Sequence, residues 1–177
     1  MMFNTWVVLP QYVSRNQEAV FSIGVIGTPG CGKTTLCEQL PFPVISLTHL
    51  AQQSDNLGKI EPDGSRAMDV EKMAAEFVQP SETTLYDGHL AHYMPVDALI
   101  ILRCPPSQLQ TRLELRGYNS EKVKANVEVE MLGGPWNDLI DDERPKFEGL
   151  DGVLDWIYAN CPAQATPENA IDWLGQP

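Results

Sequence analysis

The chain's apolar positions alternate between a strand rhythm and a helix rhythm. Val20-Phe21-Ser22-Ile23-Gly24-Val25-Ile26 is a near-continuous apolar run rich in β-branched residues. That pattern predicts a strand buried on both faces. A short helix is expected from Thr34 to Leu40, where Pro41 stops it. Val44 to Leu47 reads as a second strand, and His49 to Gln53 as a helical turn. Ser54 to Ser65 is polar and carries Gly58, Pro62 and Gly64, so it reads as loop. Val70, Met73, Ala74 and Phe77 recur at helical spacing and predict a helix over Val70 to Val78, ended by Pro80.

Thr83 to Tyr86 predicts a third strand, closing at Asp87, and the fully apolar Ala98 to Leu102 a fourth. Pro105 or Pro106 opens a helix running to Arg116, with Gly117 suited to the position just past its end. Asn119 or Ser120 caps the next helix, in which Val123, Val127 and Met131 face one way until Gly133-Gly134 breaks it. Lys146 to Gly149 is taken as the fifth strand. Leu150, Val153, Leu154 and Ile157 mark a further helix, and Thr166-Pro167-Glu168 the start of a last one. Strands alternating with helices in this way predict an α/β fold, a parallel five-stranded sheet flanked by helices. Residues 1–19 read as an extension with a short strand from Trp6 to Leu9, ahead of a domain spanning 20–177.

Composition narrows the function. At 177 residues the chain suits one domain. Its 12 basic and 24 acidic residues give a net charge of −12, which disfavours general nucleic-acid binding. No stretch approaches the roughly 20 apolar residues of a membrane helix. Trp6-Val7-Val8-Leu9 is too short for a signal core and lacks a preceding basic residue. Cys31, Cys37, Cys104 and Cys161 form no CxxC pair; they read as reduced thiols of a cytoplasmic protein and argue against zinc.

Gly27-Thr28-Pro29-Gly30-Cys31-Gly32-Lys33-Thr34-Thr35 satisfies G-x-x-x-x-G-K-[ST] between a buried strand and a helix. Glycines let backbone N–H groups of Gly30 to Thr35 wrap a diphosphate, and the helix start adds positive potential. Lys33 would reach the β- and γ-phosphates, and the Thr34 hydroxyl would meet Mg²⁺. The pattern predicts a P-loop NTPase that binds ATP with Mg²⁺; it does not name an acceptor.

Three further motifs carry a resemblance. Asp87-x-His89 follows a strand, then come Arg112-Leu113-x-x-Arg116-Gly117-Tyr118 and Glu121-Lys122 with Asn126. In this order, behind the P-loop, they resemble the adenylate kinase isoenzyme 6 family, over about Val20 to Met131. That family comprises atypical nucleotide kinases and ATPases linked to small ribosomal subunit maturation. The resemblance implies a D-x-H motif in which Asp87 holds Mg²⁺ through water and His89 orients an attacking water or substrate. It also implies a small lid at 112–127, with adenine near Arg116, and a monophosphate-binding region at 46–69.

Arg112 and Arg116 lie four apart on one helix and share a face. Arginine suits phosphate contact, and Arg103, Arg112, Arg116, Lys122 and Lys124 fall within 22 positions of an acidic chain. That clustering points to a phosphate role, with Lys33, Asp87, His89, Arg112 and Arg116 as the catalytic set. His49 and His92 read as structural. The chain departs from ordinary adenylate kinases in having Asp87-Gly88-His89-Leu90-Ala91 where they carry D-G-x-P-R. Residues 46–69 supply only Lys59 and Arg66 as guanidinium or ammonium groups. Three functions follow as expectations. The first is transfer of phosphoryl from ATP to a nucleoside monophosphate such as AMP. The second is an ATPase switch gripping a basic ribosomal protein of the small subunit, and the third a kinase for another small metabolite.

Overall fold

The computed structural model describes residues 19–60 and 66–175. The elements are β1 (Ser22–Gly27), α1 (Lys33–Gln39), β2 (Val44–Ser46), α2 (Leu47–Gln53), β3 (Leu57–Ile60), β4 (Arg66–Met68) and α3 (Val70–Ala75). They continue with β5 (Thr84–Asp87), β6 (Ala98–Leu102), α4 (Pro106–Leu115), α5 (Ser120–Met131), β7 (Lys146–Glu148) and α6 (Val153–Tyr158). Five strands form one parallel sheet in the order β2-β5-β1-β6-β7. The strand before the glycine-rich loop, β1, takes the centre, and all six of its residues are buried.

Alternation along the strands feeds two cores, one on each face of the sheet. Ile23, Val25, Ile100 and Leu102 pack with Leu36, Leu109, Leu113, Phe147 and Trp156 on one side. Ile26, Leu99 and Ile101 pack with Leu47, Met73, Tyr86, Met94 and Trp136 on the other. The doubly apolar stretch of β6 follows from this: neighbouring residues need opposite cores, and each is fully buried. The two edge strands, β2 and β7, are three residues long each.

The five expected sheet strands are all present, and β5, ending at Asp87, lies beside β1 as the phosphate-loop reading requires. Several boundaries and two assignments change. Ser54 to Ser65 is not plain loop: β3 and β4 pair antiparallel as a ribbon apart from the main sheet. Most of that ribbon is exposed, so no apolar alternation marks it. The α3 helix stops at Ala75 rather than Val78, because Glu76 N–H turns to both Lys72 and Ala74 carbonyls and tightens the last turn.

Leu150 lies in the turn before α6, not in the helix, and is exposed. The helix expected from Thr166 is a single 3₁₀ turn, Pro167–Asn169. Its capping box forms, but Ala170 is extended and the chain leaves it to meet Glu148 and Arg103. The strand expected over Trp6 to Leu9, and residues 61–65, lie outside the described residues. No described helix is long and apolar enough to cross a membrane.

Candidate active site

The site forms where β1, β5 and β6 end, at the switch point where the connection after β1 runs toward β2 and that after β6 runs the other way, toward β7. Gly32 caps α1 with a left-handed backbone (φ 107°), so glycine there frees the Lys33 and Thr34 amides to point into the loop. Gly30 packs directly on Leu109 and Leu113 of α4; a Cβ at Gly30 would lie 2.9 Å from Leu109. The loop is therefore seated on α4.

Lys33 Nζ donates to Gly27 O at 2.9 Å, so the ammonium folds back over the loop. Thr34 Oγ1 donates to Asp87 Oδ2 at 2.6 Å, which joins the first turn of α1 to the end of β5. The expected partners for a nucleotide and its metal thus meet across the crevice. Cys31 contributes its backbone only. Its side chain is buried, and burial pushes its thiol up to about 11 against the pull of Lys33.

Arg112 Nη1 donates to Gly30 O at 3.3 Å. With Arg116 it lines a cavity of about 270 Å³ together with Gly30, Gly32 and Thr35. The spacing prediction for these two arginines holds. The wider basic cluster does not. Arg103 is buried in a pair with Glu130, Nε to Oε1 2.7 Å, and reaches Glu148 at 3.6 Å. Lys124 is exposed and pairs with Glu128 one turn on. Lys122 lies 5.1 Å from the Tyr118 ring.

His89 follows Asp87 in the turn at the end of β5 and is exposed. Desolvation by the surrounding protein holds its imidazole below the ordinary value, and the Lys33 and His92 charges act in the same direction. Gly88 between the two cannot bear a side chain, since a Cβ would sit 2.9 Å from Leu47. His92 is buried with its Nε2 3.7 Å from Asp138, in keeping with a structural reading, and His49 is exposed on α2.

Three residues of this region escaped the sequence reading. Leu150 lines the Arg112–Arg116 cavity from the turn before α6. Thr28 and Glu130 form a buried hydrogen bond behind the loop. The only sequence trace of that pair is Gly133-Gly134, because a Cβ at Gly134 would fall 2.9 Å from Glu130 and 3.5 Å from Thr28.

Comparison with known proteins gives the family and supports the fold. The family model described as "AAA domain" matches residues 23–133. The chain is 35% identical to the "Putative adenylate kinase" of Methanocaldococcus jannaschii over 165 residues, 85% of this chain and 92% of that one. It is 36% identical to the protein of the same description from Archaeoglobus fulgidus, covering 87% and 92%. The Pyrococcus abyssi protein so described is 35% identical over 71% of this chain and 72% of its own. Among solved structures, a "putative kinase" from Chloroflexus aurantiacus superposes with a TM-score of 0.51 at 16% identity, over 79% of this chain and 97% of that one, and shares the fold. The chain belongs to the P-loop AAA domain family and, within it, to the adenylate-kinase-like group that these archaeal relatives represent.

Proposed function

We propose that this protein transfers the γ-phosphoryl group of ATP to a nucleoside monophosphate, AMP in the first place. The observation that carries the reading is the Thr34–Asp87 hydrogen bond beside the Lys33 ammonium. Lys33 would neutralise the β- and γ-phosphates on the loop. Thr34 and Asp87 present hydroxyl and carboxylate oxygens, the donor type Mg²⁺ takes when it keeps water and phosphate as its other ligands. When bound, the ion would draw charge from the phosphate oxygens in transfer.

Arg112 and Arg116 stand over the same loop and supply cationic charge to the moving group. Arg116 also borders the space for the adenine, with residues 112–127 as the lid. Residues 46–69, which include the β3–β4 ribbon, would take the monophosphate. His89, held neutral, would orient the acceptor or a water. The absence of the D-G-x-P-R arginine makes the acceptor side the weaker half of the site, so phosphoryl loss to water would accompany transfer.

A second reading has its own support. The net charge of −12 suits a basic partner, and the resemblance to the isoenzyme 6 family points to a small-subunit ribosomal protein. ATP hydrolysis would then switch the grip on that partner. The four unpaired, buried cysteines suit a reducing compartment and support cytoplasmic action.

One assay separates the readings. Protein, ATP and Mg²⁺ are mixed with each monophosphate in turn and ADP is followed. ADP formed in proportion to AMP supports the kinase. ADP indifferent to monophosphate but raised by a basic ribosomal protein supports the switch. Lys33→Ala retaining full activity would remove the loop from either mechanism.

A further inference from the structure

We propose that Glu130 is a positioning residue for the phosphate loop, acting through Thr28. This rests on the reading of that loop as a nucleotide site.

Thr28 is the second residue of the loop, and its side chain is buried. Its hydroxyl donates to Glu130 Oε2 at 2.5 Å. Its carbonyl accepts the Cys31 N–H at 3.1 Å, the turn from which the loop is built. Holding Thr28 therefore holds the turn that aims the following amides.

Glu130, at the end of α5, is fully buried. Its other oxygen accepts from Arg103 Nε at 2.7 Å, Cys104 N–H at 3.1 Å and Trp173 Nε1 at 3.0 Å. Its backbone carbonyl accepts Arg103 Nη2 at 2.8 Å. One carboxylate thus ties the loop to the end of β6, to α5 and to the C-terminal segment. Gly134, at φ +57°, clears the space, since a Cβ there would lie 2.9 Å from Glu130 Oε2 and 3.2 Å from Arg103 Nε.

A buried charge is a poor way to gain stability. Well-packed apolar residues of equal volume do as well or better. What an apolar set lacks is direction. A carboxylate with all its donors in place fixes the hydroxyl of Thr28, and through it the loop, to within a hydrogen bond's tolerance. The arrangement also gives α5 a fixed end. The helix begins beside Tyr118 and Lys122 in the lid region and ends at the rear of the loop, so lid and loop share an anchor.

The test compares the full chain with Thr28→Val, Thr28→Ser and Glu130→Gln. The readouts are calorimetric binding of Mg·ADP, KM for ATP and kcat with AMP, and thermal unfolding. Thr28→Val is expected to raise the Mg·ADP dissociation constant and the KM for ATP about tenfold, the scale of one charged hydrogen bond. Its kcat at saturating ATP should stay within about twofold, a uniform-binding signature. Thr28→Ser should restore both constants, and Glu130→Gln, which keeps the shape and loses the charge, should fall between. A Thr28→Val protein with a lower melting temperature and unchanged Mg·ADP affinity overturns the proposal, leaving Glu130 a structural residue only. If Thr28→Val does not fold, unchanged affinity in Glu130→Gln overturns it equally. A parent chain that binds no Mg·ADP would overturn the nucleotide reading itself, a result distinct from either.

Discussion

Thr34 and Asp87 lie 53 residues apart and meet through one hydrogen bond of 2.6 Å at the open mouth of the crevice. The contact is exposed, so it contributes little to stability. Asp87→Asn should lower kcat/KM for ATP by about a hundredfold or more, with a melting temperature within about 2 °C of the parent. Steady-state kinetics beside a thermal scan check both halves.

Arg112 and Arg116 should separate by kinetics. Arg116 borders the cavity, whereas Arg112 donates to the Gly30 carbonyl. Arg116→Ala should mainly raise the KM for ATP, by about tenfold, and Arg112→Lys should mainly lower kcat, because an ammonium cannot make the paired contacts of a guanidinium. The reverse split would assign the two residues the other way round.

The acid side of the pH profile should report His89. Its imidazole is depressed below its ordinary value by desolvation and by the Lys33 charge. It therefore stays neutral as pH falls through 6.5 and gains its proton only lower down. Turnover should hold flat across that range and then drop, and His89→Ala should show a slower rate without that limb. His92 is depressed too, by burial and Arg144 against the opposing Asp138 and Asp142. Both groups bind protons more weakly in the folded chain. Their stabilising effect is full above the unfolded value near 6.5 and is lost as pH falls through the folded values, which a pH series of melting curves would record.

The cysteines should be inert in the native protein. Burial pushes Cys31 up to about 11 and Cys37 and Cys161 up to about 12, and raises Cys104 as well. At pH 8 a thiol reagent should label the folded chain slowly and all four thiols only after denaturation. Fast labelling of Cys31 in the native state would contradict the buried loop geometry.

Arg103→Met should be severe. It strips the buried Glu130 and Glu148 of their cation and should cost about 3–5 kcal/mol in a denaturant titration. Lys124→Ala, which removes an exposed pair, should change stability by no more than about 0.5 kcal/mol.

These contrasts also show what sequence alone could reveal. The central strands β1 and β6 were legible because both are buried on both faces and so nearly continuously apolar, as in Ala98 to Leu102. The phosphate loop was legible because its chemistry needs glycines at fixed spacing. The β3–β4 ribbon was not, since an exposed two-stranded element leaves no apolar period. Arg103 misled because local charge density does not tell a solvent-facing arginine from one bound for Glu130, 27 residues on. The Thr28–Glu130 bond spans 102 residues, a separation at which one sequence carries no pairing signal.

Both borders of the main sheet, β2 and β7, end after three residues. Another copy finds almost no open ladder to zip onto, and Lys146 of β7 turns its ammonium inward to Asp142. Together with the surplus of carboxylates, this should keep concentrated solutions clear of fibrils, even though the middle of the sheet is almost pure hydrocarbon.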